Sequence, residues 1–206
     1  MVVIDVTIVS DPSCALGNCY IGSRRLQKAI SLYQKTYPGG SKDTFNISYK
    51  PYILRPDAPT EGVQHGVNSM IARMGLERAT SVKAHMHSIG ASEGIAFNLE
   101  VQWEVAQELF RLQFEEDGDV TSMETLVATG KVGGLAEEEV QRWLGEGRAR
   151  EVVERESAEV KGMGITSVPM FLFGNGAVTV DGAADVGEFF ETIVKTKRAA
   201  SEGFEN

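Results

Sequence analysis

From Val2 to Val9 almost every position is apolar and β-branched, the pattern of a strand buried on both faces of a sheet. A short loop follows. Then Leu26, Ala29, Ile30 and Tyr33 recur at helical spacing, with Arg24, Lys28 and Lys35 off that face. This predicts an amphipathic helix closed by Pro38-Gly39-Gly40. Phe45, Ile47 and Tyr49 next alternate with Asn46, Ser48 and Lys50, a second strand stopped by Pro51 and Pro56. A strand, a helical crossover and a second strand imply parallel pairing.

Between about residue 60 and residue 162 the pattern changes, and no convincing strand appears. Met70, Ile71 and Met74 suit one helix, and Val105, Leu109, Leu112 and Phe114 suit another. Leu135, Val140, Trp143 and Leu144 suit a third, followed by REVVERESAEVKGMG. No Pro/Ser-rich linker brackets the block, so it reads as an insertion into a single domain spanning 1–206. The end of the chain returns to β. VPMFLF, the turn GNG and AVTV form a hairpin. Val186, Phe189, Phe190, Ile193 and Val194 then repeat at helical spacing, between Asp185 and the basic Lys195, Lys197 and Arg198, a polarity that suits the helix dipole. The order β-α-β, helical block, β-β-α is that of an α/β thioredoxin fold with a large all-helical insertion. Its core is expected at 1–58 and 163–200, and its insertion at 59–162.

Composition narrows the partners. The chain has 206 residues and a net charge of −9. No concentrated basic face is visible, which argues against nucleic acid; the clusters Arg24–Arg25 and Lys195–Arg198 read as solvated helix termini. No segment has the roughly 18 uninterrupted apolar residues of a membrane span. The N-terminus lacks a basic signal-like region. The expected compartment is therefore the cytoplasm, where two cysteines are reduced, catalytic or structural thiols sooner than a permanent cross-link.

Those two cysteines are Cys14 and Cys19, in DPSCALGNCYIG at the first strand–helix junction. A thiol at a helix N-terminus meets unpaired N–H groups and the positive end of the dipole, which favour thiolate. Two cysteines three apart on a first helical turn have Cα atoms about 5 Å apart, within reach of a disulfide. Were residues 14–19 all helical, the separation would be roughly 8–9 Å, too far to bridge. A Cys14–Cys19 bridge therefore needs a non-helical loop at Ala15 to Asn18, which Gly17 and Asn18 permit because both tolerate positive φ. The residues alone leave three readings open: a working dithiol in a bulged loop, a site with a displaced nucleophile, or two inert cysteines.

Three segments carry a resemblance. IVSDPSCALGNCYIGSRRLQKAI resembles the first strand, redox loop and helix of DsbA-like oxidoreductases of the FrnE branch. YKPYILRPDAPTEG is similar to that branch's second strand and its exit, and GMGITSVPMFLFGNGAVTVDGAADVGEFF to its terminal Val-Pro segment, hairpin and helix. The resemblance implies a thiol–disulfide oxidoreductase in which Cys14 attacks a substrate disulfide and Cys19 resolves the mixed disulfide. Val168 and Pro169, joined by a cis peptide, would dock the substrate backbone. It implies no tightly bound cofactor, glutathione as a possible co-substrate, thiol or disulfide substrates as partners, and a homodimer as the paired form. Read from the residues alone, Val168–Pro169 fits a trans proline at an edge strand as well as a cis one.

The match has two departures. Aligned on Cys-Tyr-Ile-Gly, Leu16 stands where the attacking cysteine belongs, Cys14 lies two residues upstream, and the family's Pro-Trp is absent. The N-T-x-x-A/S-H-R-L helix that relatives carry before L-F-x-x-Y-F has no counterpart, since EGIAFNLEVQWEVAQELFRLQF runs almost directly through. Kappa-class glutathione transferases and hydroxychromene-carboxylate isomerases share the fold and insertion, and use a Ser at the helix start. Ser10 and Ser13 are nearby but out of register. The same resemblance makes Asp185, after Ala184, a candidate for the γ-glutamyl end of glutathione, although an Asp there is also an ordinary N-cap. A non-catalytic thioredoxin-fold protein is the third reading. All the redox readings require segments 14–19 and 168–169 to meet; sulfurs turned inward beneath hydrocarbon would count against an enzyme.

No metal site is expected. His85 and His87 stand at i, i+2, which points them to different helix faces, and His65 is remote in sequence. Glu115-Glu116-Asp117 and Glu137-Glu138-Glu139 read as solvated helix starts or loops, and Trp103 and Trp143 as helix packing.

Overall fold

The structure is a computed structural model that describes residues 1–12, 14, 17–56, 101–116 and 118–202. The expected helix around Met70, Ile71 and Met74, together with His65, His85 and His87, lies outside the described residues, as do Ser13, Leu16 and Asp117.

Four strands form one mixed sheet in the order β2-β1-β3-β4. β1 (Val3–Ser10) runs parallel to β2 (Thr44–Pro51), with Val6 opposite Ile47. α1 (Asn18–Thr36) makes the crossover between them. β3 (Met170–Phe173) pairs antiparallel with β1, placing Phe171 opposite Ile8 and Phe173 opposite Val6, and β4 (Val178–Asp181) pairs antiparallel with β3. The hairpin turn is left-handed at Gly174, Asn175 and Gly176, a conformation open to Gly and Asn. Between β2 and β3 lie α2 (Val101–Glu115), α3 (Met123–Val132), α4 (Glu137–Gly145) and α5 (Arg148–Gly162), and α6 (Val186–Glu202) ends the described chain.

The even residues Ile4, Val6 and Ile8 of β1 join Phe171, Phe173, Val180 and Ile47 on one sheet face. Leu26, Ala29 and Tyr33 of α1 and Phe189 and Ile193 of α6 cover that face, and Trp103 of α2 joins the same core. Side chains of this size contribute about 1.5–3 kcal/mol each when fully buried. Among the described residues the opposite face is covered only at its C-terminal end, where Val9 and Leu172 meet Val160 of α5, Ile165 and Tyr52. The expectation that β1 is buried on both faces thus holds only for Ile8 to Ser10; Val3 is exposed, and Asp5 and Thr7 are half-buried, because no helix among the described residues covers that end.

Three further expectations change. Trp103 is buried, but Trp143 is 44% exposed and Leu135 is also exposed, because α4 is a short surface helix with no buried residue. Its Val140 instead meets α3 so closely that a Cβ on Gly130 would stand 2.8 Å from Val140 Cγ2. Glu115 and Glu116 fall at the end of a helix, where Glu115 accepts from Tyr20 and Glu116 pairs with Arg111, whereas Glu137 to Glu139 do form an exposed helix start. The basic residues are not simply solvated. Arg25 donates to the Ala183 carbonyl at 2.7 Å, and Lys197 pairs at 2.6 Å with the buried carboxylate of Asp43. That carboxylate also accepts from Tyr33 Oη and the Val2 N–H, so one buried acid ties α1, α6 and the entry to β1 together.

Candidate functional site

β1 delivers the chain to the site at Ser10, and two successive tight turns follow. The Cys14 N–H donates to the Asp11 carbonyl at 3.0 Å, and the Gly17 N–H donates to the Cys14 carbonyl at 3.1 Å. Gly17 is left-handed at φ 68°, and the helix begins at Asn18. Glycine suits this position because φ is positive; the Phe114 ring packs over it, 3.6 Å from where a Cβ would stand. Cys19 thereby enters the first turn of α1. The bulge folds Cys14 back, so the two cysteines lie 4.0 Å apart, both as free thiols.

The pair is asymmetric. Cys19 is wholly buried and Cys14 is 4% exposed. The Cys19 thiol is pushed well above its ordinary range, first by its hydrogen bond to Cys14, then by burial and by charge on Cys14; the Ser10 hydroxyl and the Asp11 backbone beside it pull the other way. Cys19 is therefore the sulfur that keeps its proton, and Cys14 the one that receives a hydrogen bond.

Hydrocarbon closes over both sulfurs. Phe110, fully buried, packs with them, and Ala106, Phe114, Tyr20 and Val168 complete the cluster. The three rings form a stack: Tyr20 to Phe110 at 5.5 Å, Tyr20 to Phe114 at 6.2 Å and Phe110 to Phe114 at 6.4 Å. The Tyr20 hydroxyl donates to Glu115, and Arg24 lies over the Tyr20 ring at 5.4 Å. Burial, then the Glu115 hydrogen bond, holds the Tyr20 phenol above its ordinary range.

Segment 168–169 reaches the same place. Val168 packs against the cysteine cluster, and the Val168–Pro169 peptide is cis. A Cβ on Gly22 would stand 2.9 Å from Phe171 Cζ and 3.2 Å from Pro169 Cγ. The glycine of Cys-Tyr-Ile-Gly is thus what lets the first turns of α1 approach β3. The Pro169 carbonyl accepts from the Gly182 N–H at 2.8 Å, and the Ser167 hydroxyl donates to Asp181 at 3.0 Å. The structure therefore brings Cys14, Cys19, Val168 and Pro169 together. Asp185 is exposed at the start of α6, where its Oδ1 accepts the Glu188 N–H at 2.9 Å, the bond of a helix N-cap.

Sequence reasoning assigned no role to the aromatic stack. Its one legible signal was the i, i+4 spacing of Phe110 and Phe114, which puts both rings on one helix face. Among the described residues no group of three His, Cys, Asp or Glu could hold a metal ion, and no helix is long and apolar enough to cross a membrane.

Comparisons with known proteins match this arrangement to one family. The profile of the DSBA-like thioredoxin domain matches residues 6–194. Among solved structures, the "probable DsbA oxidoreductase" of Streptomyces coelicolor superimposes with a TM-score of 0.78 at 22% identity, over 94% of this chain and 89% of that one. A 2-hydroxychromene-2-carboxylate isomerase gives 0.61 at 15% identity over 98% of each chain. Oxidised BdbD of Bacillus subtilis gives 0.52 at 13% identity, over 94% of this chain and 86% of its own. At these identities the structural likeness speaks for the fold. No curated protein matches the sequence.

Proposed function

From the premise that this chain belongs to the DSBA-like thioredoxin domain family, we propose that Cys14 and Cys19 carry out thiol–disulfide exchange with a disulfide-bearing substrate. The Cys14 thiolate attacks one sulfur of the substrate disulfide; that S–S bond breaks, a Cys14–substrate mixed disulfide forms, and the other substrate sulfur leaves as thiolate. Cys19 then gives up its proton and attacks Cys14 Sγ. The mixed disulfide breaks, the second substrate sulfur takes the proton, and the substrate ends reduced by two electrons while the pair becomes a Cys14–Cys19 disulfide. The reverse sequence oxidises a dithiol substrate, with glutathione or another thiol as exchange partner. Forming the mixed disulfide removes the hydrogen bond and the charge on Cys14 that hold the Cys19 proton, so the first step prepares the second. Val168 and Pro169, against the cysteine cluster, would take the substrate backbone.

The observation that carries this reading is the 4.0 Å approach of two free cysteines in a loop whose spacing alone would not bring them together. The covering side chains define what must move. Phe114 is half-buried and rests on Gly17, so displacing its ring opens the bulge while the wholly buried Phe110 and Cys19 stay in place.

The burial of both sulfurs favours a second reading, a thioredoxin-fold protein without redox turnover. Equilibration in glutathione buffers of graded potential, followed by peptide mass mapping, separates the two. Exchange predicts a Cys14–Cys19 disulfide that forms and is reduced reversibly, and thiol reactivity lost in Cys14→Ser. No bridge at any potential, with Cys14→Ser behaving as wild type, leaves the second reading.

A further inference from the structure

The even residues of β1, Ile4, Val6 and Ile8, enter the core beneath α1 and α6, whereas Val9 goes to the opposite face. Strand alternation therefore turns the Ser10 side chain to the α1 side, where Cys19 enters the helix. Ser10 is 3% exposed, and its Oγ is buried with no hydrogen-bond partner among the described residues. Its carbonyl accepts the Tyr52 N–H at 2.9 Å; its hydroxyl stands idle. A buried hydroxyl without a partner carries a desolvation penalty it does not recover. The group this hydroxyl acts on is the Cys19 thiol. A neutral thiol sulfur is a weak acceptor, whereas an ionised one makes the stronger charge-assisted bond.

The other groups around Cys19 are committed or apolar. Cys14 receives its hydrogen bond, and the Asp11 backbone lies beside it, while the Asp11 carboxylate accepts the Leu54 N–H at 3.0 Å. Tyr49 of β2 feels the charge of Cys19, but its hydroxyl accepts from Gln107 at 3.2 Å and pairs with Ser23 Oγ at 3.2 Å. Tyr20 gives its hydroxyl to Glu115, and Arg24 lies over its ring. From α2 come Phe110 and Ala106, and from the cis-proline segment Val168. Once Cys14 is tied to a substrate sulfur, Cys19 has to lose its proton among these groups, and no cation is among those that act on it.

We propose that the Ser10 hydroxyl is the donor that steadies the Cys19 thiolate in the resolving step. Ser10 keeps its own proton throughout. The Cys19 S–H bond breaks, the bond to Cys14 Sγ forms, and the proton goes to the departing substrate sulfur. The hydroxyl gains a full partner only in the charged state, so it favours thiolate over thiol. Its part in turnover rests on the thiol-exchange reading; the hydroxyl–thiolate bond does not.

A chain carrying Cys14→Ala keeps Cys19 as its single thiol, so the Cβ resonance of isotope-labelled cysteine follows its ionisation without any redox step. Adding Ser10→Ala should move the midpoint up by about one pH unit, the shift for one charge-assisted hydrogen bond. The urea midpoint of reduced Ser10→Ala at neutral pH should hold or rise, because the hydroxyl removed there had no partner. With both cysteines present, glutathione carried on Cys14 should be expelled about threefold more slowly in Ser10→Ala, read by acid quench and mass spectrometry. About tenfold less thiolate is partly returned by its greater nucleophilicity. An unmoved midpoint, a Cys19 that does not ionise before the chain unfolds, or equal rates of expulsion overturns the proposal. A clearly lower urea midpoint does so too, by making Ser10 a packing residue. A shifted midpoint in a chain that never takes glutathione on Cys14 removes thiol exchange and leaves the hydroxyl–thiolate bond. Exchange with an unmoved midpoint removes the role of Ser10 and leaves exchange.

Discussion

Gly22 faces Phe171 so closely that a Cβ on it would stand 2.9 Å from Phe171 Cζ, and this contact sets how near the cysteine-bearing helix lies to β3. Phe171 has no room to retreat, being fully buried and edge-on to Phe189 at 4.8 Å. Gly22→Ala gains about 1 kcal/mol of helix propensity but overpacks the contact at roughly 1–3 kcal/mol. The expected outcome is a net loss of about 1 kcal/mol, read as a lower urea midpoint at unchanged slope. A more stable variant would contradict the close approach.

The aromatic cover makes a kinetic prediction. Phe114→Ala removes the half-buried ring resting on Gly17, and iodoacetamide should then alkylate Cys14 at least about tenfold faster, the factor for each 1.4 kcal/mol taken off local opening. Cys19, deeper and wholly buried, should change far less. Peptide mass mapping over time reads both sites, and equal acceleration of the two cysteines would mean global unfolding instead of uncovering.

If Cys19 resolves what Cys14 begins, Cys19→Ala should stop the reaction halfway. With oxidised glutathione this variant should accumulate a mixed disulfide on Cys14, whereas wild type passes through it to the intramolecular bridge. Mass spectrometry of the intact chain under acid quench distinguishes them. Glutathione on neither cysteine of Cys19→Ala would remove Cys14 as the nucleophile.

The raised Cys19 thiol has a consequence for pH. Its folded-state value lies above that of the unfolded chain, so the folded state holds the proton longer. The contribution is fully present below the ordinary thiol value of about 8.5 and is lost as pH rises through the folded value. Stability of the reduced protein should therefore fall from about pH 8.5 upward. Cys14→Ala deletes the largest cause, and Cys19 should then ionise at lower pH, seen as thiolate absorbance. An unmoved titration would show that burial alone sets it.

Asp43 gives the opposite slope. Burial pushes its carboxyl up, but the hydrogen bonds from Lys197, Tyr33 and Val2 outweigh it and hold the value below the ordinary one. Its contribution is present above the unfolded carboxyl value and is lost as pH falls through the lower folded value. Lys197→Met strands the buried carboxylate and should cost about 3 kcal/mol at neutral pH. The deficit should shrink near pH 4, where the stranded acid takes a proton, and urea titrations at both pH values measure it.

The sequence by itself determined the frame. The β-branched run of β1, the alternation of β2 and the helical periods of α1 and α6 come from local backbone preference and from which face each element buries, both written in consecutive residues. The positions of Cys14, Cys19, Val168 and Pro169 at the ends of these elements were legible for the same reason, and so was the need for a non-helical Gly17, whereas Asn18, expected in the same loop, already begins α1.

The distances within the site were decided only by the tertiary structure. Periodicity gives a face but not the rotation at which that face docks, so it did not say that Phe110 and Phe114 would land on sulfurs more than ninety residues away. Nor did it say that Trp143 would stay in solvent while Trp103 went under. Glu115 is exposed, as a solvated acid should be, but its bond from Tyr20 could not be read because Tyr20 is contributed by another helix. Packing across elements has no short-range signature in the chain, and it is packing that covered the two cysteines, which the turns between Asp11 and Gly17 set 4.0 Å apart.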